Sequence, residues 1–429
     1  MKNRRFMFLF SLVGVVALLA TACAGDDDDD TGAGADEEFT PGELGAVDVA
    51  PDDPILIGAI QAISGDTASL GTDQQRAIEI AIADRGGELL GHEIELQAED
   101  GECAAEGGTT AAQRLVAEPQ TVAVIGTSCS GAGVPASEIL AEEGILTISA
   151  SNTSPALTSD LEGTEGESHQ DTYFRTAHND IVQGQAAANF AFEELGAQTA
   201  ATIHDGDPYT QGLTTAFETS FTELGGEVVV ATAVNPEDTD MRPVLTEVAA
   251  AEPALVFFPI FQPAADFIVQ QSNEFPQLEA TNQLMGADGL LSDTFIVLPD
   301  TEDMYFSGPA TPTGSAYDEF VQKYEDEFGE APIQSFHAHA YDAANILFDA
   351  IEAVAVEDDD GTLHIDRQGL VDEVHTVEGF EGLTGTLTCD EFGDCANPVI
   401  DVVQNTAAET TIVDVRGNVL YSFEPEPEG

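Results

Sequence analysis

Residues 126–153, GTSCSGAGVPASEILAEEGILTISASNT, carry hydroxyl side chains in two clusters, Ser128/Ser130 and Ser149/Ser151/Thr153, each just past a short apolar run. Hydroxyls in that position can arm a nucleophile or cradle a ligand. A hydrolase elbow needs Gly-x-Ser-x-Gly on a strand-to-helix turn. Here Gly126-Thr127-Ser128-Cys129 is followed by Ser130 instead of glycine. Other catalytic patterns are incomplete in the same way. His92-Glu93 lacks the second histidine of a zinc protease, no glycine loop ends in Gly-Lys-Ser/Thr, and Val356 stands where an EF-hand loop opens on an acid. His204 beside Asp205 and Asp207 reads as a solvated strand end. The sequence therefore points to a cradle, with no catalysis, metal or cofactor expected.

The elements that would hold this cradle alternate. An apolar run at 55–62 reads as a buried strand, and 72–87 reads as a helix with Thr72 as its cap. Strands then follow at 93–100, 121–126 and 145–151, with helices at 109–118 and 135–144 between them. After a break near TYFRTAHND the pattern resumes, with helices at 181–195, 214–224, 242–250 and 264–272 and strands at 199–205, 227–234, 254–260 and 283–288. Such alternation means βαβ units and parallel sheets covered on both faces. Two sets of units exceed one ordinary α/β core, so two lobes are expected. From about Thr311 the chain is mostly helical, and these helices are expected to return to the first lobe before strands at 399–404 and 410–417. Open α/β sheets bind ligands at the carboxyl ends of their strands. Those loops carry Ser64-Gly65, both hydroxyl clusters, Tyr209, Phe261 and Asp288. Hydroxyls beside helix N–H groups accept an anion, and an aspartate on the opposing lobe accepts a cation.

The first residues supply an address. Lys2, Arg4 and Arg5 precede an apolar stretch from Phe6 to Ala20 and then small residues, which describes an export signal over 1–22. Leu19-Ala20-Thr21-Ala22-Cys23 resembles a bacterial lipobox. That resemblance implies lipidation of Cys23 and anchoring to the outer face of the cell membrane. Residues 23–53 are rich in aspartate, glutamate and glycine, and the reading is a disordered tether. The remaining cysteines, Cys103, Cys129, Cys389 and Cys395, allow three disulfide connectivities. The close spacing of Cys389 and Cys395 fits a bridge across a hairpin turn and leaves Cys103 to Cys129. The formal net charge is −69, from 80 acidic and 11 basic residues. Repulsion on that scale excludes nucleic acid, which needs a basic surface.

From about Pro54 onward the chain resembles the type I periplasmic solute-binding proteins of ABC importers, in their leucine/isoleucine/valine-binding branch. The likeness is carried by IGAIQAISGDTASLGTDQQRAIEIAIADRGG, AEDGECAAEGGTTAAQRLV, VIGTSCSGAGVPASEILAEEGILTISASNTSPALT, IHDGDPYTQGL, LMGADGL, AYDAANILFDAI and GLTGTLTCDEFGD. It implies two Rossmann-like lobes joined by a multi-strand hinge. The N-terminal ligand-binding lobe would span 54–176 plus 312–384, and the C-terminal lobe 177–311 plus 385–429. It also implies the cysteine pair Cys103–Cys129.

By position, the resemblance assigns the ligand carboxylate to the hydroxyl and N–H of Ser130, and the ammonium to the carbonyl of Ser151. Thr153 would bridge the two groups. Tyr209 would close over the ligand, and Asp288 would accept the ammonium where the family commonly has glutamate. Phe261 stands where tyrosine is common, and Leu70 where an aromatic lines the side-chain pocket. Ser130, Ser151 and Thr153 can equally cap or turn the chain, and Tyr209 and Asp288 can equally belong to turns. The expected partners are a small amino-acid-like ligand and the membrane subunits of an ABC permease, with the protein acting as a monomer. An amide, urea or aromatic acid is the alternative ligand, and a sensing lobe the alternative role.

Overall fold

A computed structural model describes residues 39–281, 283–407 and 410–425. The expected signal segment, Cys23 and the acidic run up to residue 38 lie outside the described residues. Among the described residues, two large sheets carry the architecture. The first has six strands in the order Glu88–Leu89, His92–Asp100, Ile55–Gln61, Thr121–Gly126, Leu146–Ser149 and Tyr173–Arg175. All are parallel except the short hairpin at its edge. The second has seven, in the order Val419–Phe423, Ile400–Gln404, Tyr305–Pro309, Leu284–Ala287, Leu255–Phe257, Thr199–His204 and Glu227–Ala233. Its last five strands are parallel, and the two carboxyl-terminal strands add antiparallel to one edge.

The central strands are buried along their whole length because helices cover both faces. Ile57, Ile125 and Ile148 pack with Leu347, Phe348 and Ile351 of helix His337–Val354 and with Phe320 and Tyr324 of helix Ser315–Phe328. On the opposite face Ile60 and Val124 meet Leu115, Leu140 and Ile145. The late helices thus complete the first lobe, as their position after the second set of units suggested. The chain passes between the sheets near 176–179, 310–314 and 396–399, which makes a three-stranded hinge. Both expected disulfides form, Cys103–Cys129 and Cys389–Cys395.

Four expectations need correction. Residues 46–49 are not tether. They form the strand Ala46–Val49, antiparallel to Leu363–Asp366, because Val47 and Val49 alternate with solvent-facing neighbours and bury themselves in the first-lobe core. Residues 385–395 also belong with the first core, where Leu387, Cys389 and Cys395 are buried, so the crossing falls about ten residues later than expected. The first helix starts at Ala68 with Thr67, not Thr72, at its cap position. Residues 410–417 read as a strand from their β-branched content, yet Ile412–Gly417 is a helix. Thr411 and Asp414 close a reciprocal capping box there, which satisfies two end donors that a strand would have to pair elsewhere.

Candidate functional site

The loops at the carboxyl ends of the two sheets meet across a cleft lined by Ser128, Cys129, Ser130 and Ser151 from one lobe and Tyr209, Phe261, Asp288 and Gly289 from the other. Leu70, 8 % exposed, forms part of the same wall. About 520 Å³ of the cleft is free of atoms, including space continuous with solvent, but only about 20 Å³ accommodates water-sized occupants. That is room for about one water molecule. The lobes are therefore drawn together. Phe261 of the second lobe joins Ala62, Leu70, Cys129 and Phe336 of the first in one apolar cluster.

The first-lobe wall is internally paired. Ser128 Oγ donates to Gln61 Oε1 at 2.6 Å and accepts from the Ala62 N–H at 3.0 Å. Ser151 Oγ donates to the Ser128 carbonyl at 2.7 Å and accepts from Gln74 Nε2 at 2.8 Å. Ser149 Oγ donates to the Thr127 carbonyl and accepts from the Ser151 and Asn152 N–H groups. None of these hydroxyls has a histidine beside it to act as a base, so the cluster builds a loop and not a nucleophile. Arg175, fully buried, donates to the carbonyls of Asn152 at 3.1 Å and Ser154 at 2.8 Å and pairs with Asp394. It ties the second hydroxyl loop to the hinge.

Ser130 is the first residue of helix Ser130–Glu142, five residues earlier than Pro135 suggested, because Cys129 takes an extended conformation and starts the turn. The opening N–H groups of a helix have no intrahelical acceptor and carry the positive dipole end. Ser130 Oγ also accepts from the Ser154 N–H at 3.3 Å. The structure brings together Ser130, Ser151, Tyr209, Phe261 and Asp288. It does not bring Thr153 to the cavity wall. Thr153 is 1 % exposed, and its carbonyl accepts the Asp180 N–H at 2.9 Å.

The second-lobe wall is acidic and underpaired. Asp288 Oδ1 accepts from Gln183 Nε2 at 2.7 Å and from the Tyr209 hydroxyl at 3.1 Å. Burial pushes its carboxyl up to about 6, against hydrogen bonds from Gln183 and Tyr209 that pull it down. The rings of Tyr209 and Phe261 lie 5.3 Å apart, centre to centre.

Sequence reasoning missed Asp180, which opens helix Asp180–Asn189. It is fully buried, and neither carboxylate oxygen meets a hydrogen-bond partner by geometry. The Thr153 hydroxyl is the neighbour that most favours its ionised form, but burial and then Asp288 hold its carboxyl well above the usual range. The Asp-x-x-Gln spacing of Asp180 and Gln183 was the available signal. Asp207 is a further carboxylate here. Burial pushes it up to about 6, and its Oδ2 lies where a Cβ on Gly131 would be only 2.0 Å away. A side chain at residue 131 would therefore have to displace the Asp207 carboxylate for the lobes to meet, and Ser154 Oγ seals the same contact by donating to the Pro208 carbonyl at 3.0 Å.

A family model described as periplasmic binding protein matches residues 54–399. The Leu/Ile/Val-binding protein homolog 3 of Brucella melitensis is 24% identical over 353 residues, covering 81% of this chain and 90% of the relative. An amino acid binding protein of Pseudomonas aeruginosa is 30% identical over 241 residues, 56% of this chain and 62% of the relative. Among solved structures, a leucine binding protein from Thermotoga maritima superposes with a TM-score of 0.74 at 23% identity, covering 87% of this chain and 99% of that one. A solute binding protein from R. palustris in complex with benzoate gives 0.68 at 20% identity, covering 86% and 96%.

Proposed function

Because the chain belongs to the periplasmic binding protein family, a family of solute carriers rather than enzymes, we propose that it captures an α-amino acid or close analogue between its lobes and presents the closed form to the membrane subunits of an ABC importer. One observation carries the reading. A helix N-terminus with Ser130 on one lobe faces Asp288 and Tyr209 on the other, so an anion and a cation are accepted at the two ends of one small cleft. A zwitterion meets both demands. The ligand carboxylate would lie against Ser130, and the ammonium would take the Ser151 carbonyl and Asp288, with Asp180 adding negative charge behind it. Relatives named for leucine, isoleucine and valine binding support an amino-acid ligand. The benzoate complex supports the alternative of an aromatic acid. The buried carboxylates favour the amino acid, because benzoate brings no cation to neutralise them.

Closure would follow from differential affinity. A ligand bridging both walls favours the closed state only by what it gains there over the open one. We further propose that the chain is exported, anchored through a lipidated Cys23, and acts as a monomer. Calorimetry with a panel of α-amino acids, benzoate and urea tests the ligand class. A micromolar amino-acid complex, about −8 kcal/mol, is expected, and binding of benzoate or urea without any amino acid would overturn the reading. For the anchor, labelled fatty acid should be incorporated by the parent chain and not by Cys23→Ala.

A further inference from the structure

In the reading above Asp288 takes the ligand ammonium, and a buried chain of hydrogen bonds stands behind it. Gln183, fully buried on helix Asp180–Asn189, presents its amide nitrogen to Asp288 Oδ1 at 2.7 Å and to the carbonyl and hydroxyl oxygens of Ser307, each at 3.1 Å. A carboxylate and a carbonyl only accept, so the amide nitrogen must face them and the amide oxygen must face the other way. There Gln183 Oε1 meets His178 Nε2 at 2.5 Å. An amide oxygen also only accepts, so the imidazole carries its proton on Nε2. His178 is 2 % exposed, its Nδ1 has no hydrogen-bond partner, and its ring stacks on Phe336 of the cleft wall at 6.0 Å. The ring's one hydrogen bond is therefore spent on Gln183.

The chain of bonds runs from the hinge to the cleft. His178 lies on the crossing at 176–179, and Ser307 pairs with Ala287, the residue before Asp288. Both side-chain donors on Asp288, Gln183 and Tyr209, go to Oδ1, and among the described residues no side chain donates to Oδ2. A carboxylate with one oxygen held twice has its orientation fixed and its other oxygen left for a further donor. The charged groups around Asp288 do not substitute for this. Burial holds the Asp180 carboxyl and the Tyr209 hydroxyl well above their ordinary ranges, each raised further by Asp288, and Arg416 reaches Asp288 only through its charge. Around His178 stand Arg175, Asp394 and His339. Burial pushes the His178 imidazole down to about 4, so it stays neutral over the range in which Asp288 changes charge.

We infer that His178 and Gln183 are positioning residues for ammonium capture: His178 fixes the orientation of the Gln183 amide, and Gln183 holds Asp288 as an oriented, ionised acceptor with Oδ2 left for the ligand. The inference rests on the α-amino-acid reading above and extends it to the groups behind the cation acceptor. Calorimetry from pH 5 to pH 8 tests it on the mature chain, Gln183→Met and His178→Phe, with thermal unfolding to check that each variant folds. The probe is leucine, or the tightest amino acid of the panel above if leucine does not bind. In the parent chain, affinity should fall below about pH 6. Losing a hydrogen bond that favours the ionised carboxyl raises the pH at which it takes up a proton. In Gln183→Met the fall should therefore begin about one pH unit higher, and affinity at pH 7 should drop about tenfold. His178→Phe keeps the ring stack and should shift the profile the same way by less. A Gln183→Met variant that binds as tightly as the parent, or more weakly with an unmoved pH profile, overturns the positioning role and leaves the amino-acid reading standing. If Gln183→Met does not fold, NMR of the histidine-labelled parent decides, since a neutral His178 protonated on Nε2 is required and protonation on Nδ1 overturns the chain of bonds. If no amino acid of the panel binds the parent, the amino-acid reading falls and the inference with it.

Discussion

The two walls of the cleft are built on opposite principles. On the first lobe, Ser128, Ser149 and Ser151 satisfy one another and the backbone, a disulfide pins Cys129, and a helix end faces the cavity. This wall is finished before any ligand arrives. On the second lobe, Asp180 and Asp288 are buried and Asp207 half-buried, and burial holds all three carboxyls above their ordinary range. Burying an ionised group is costly unless it is paired. The contrast teaches a division of labour, in which a preorganised wall fixes where the ligand lies and a frustrated wall makes closure depend on what the ligand brings.

The contrast breaks most severely if the frustrated wall is neutralised. Asp288→Ala should weaken binding of an α-amino acid at least a hundredfold by calorimetry, about 3 kcal/mol, the scale for removing one partner of a buried ion pair. Breaking the finished wall instead costs stability. The joint change Cys103→Ala and Cys129→Ala opens a loop with a sequence separation of 26 and should lower unfolding stability by about 3 to 4 kcal/mol in a denaturant titration.

Acid separates the walls without mutation. Burial pushes the Asp288 carboxyl up to about 6, and an ammonium requires it ionised, so ligand uptake below that pH releases its proton. Affinity should be constant above pH 6 and fall up to about tenfold per unit as pH drops below it, one proton being worth about 1.4 kcal/mol per unit. Ser151→Ala should have the smallest effect on binding. Its hydroxyl serves Ser128 and Gln74, so stability should drop by about 1 kcal/mol while affinity changes less than threefold, since the ligand contact assigned here is the backbone carbonyl.

The same division explains what the sequence made legible. The strands at 55–61 and 121–126 announced themselves as unbroken apolar runs because both faces are covered. The glycine, serine and cysteine turns marked the first wall because their chemistry is local. Asp180 was not visible in that way. Its meaning comes from burial beside Asp288, a group far away in the chain. The helix at 412–417 shows the same limit at the level of secondary structure, since a capping box outweighed β-branched propensity.

The pairing of Ala46–Val49 with Leu363–Asp366 has a mechanical consequence. Tension applied to the amino-terminal end of the described chain loads four antiparallel residue pairs in shear, and shear spreads a force over all the bonds of a ladder at once. That load passes into the lobe carrying helix His337–Val354 without crossing 176–179, 310–314 or 396–399. A pull from that end therefore enters one lobe without loading the hinge segments directly.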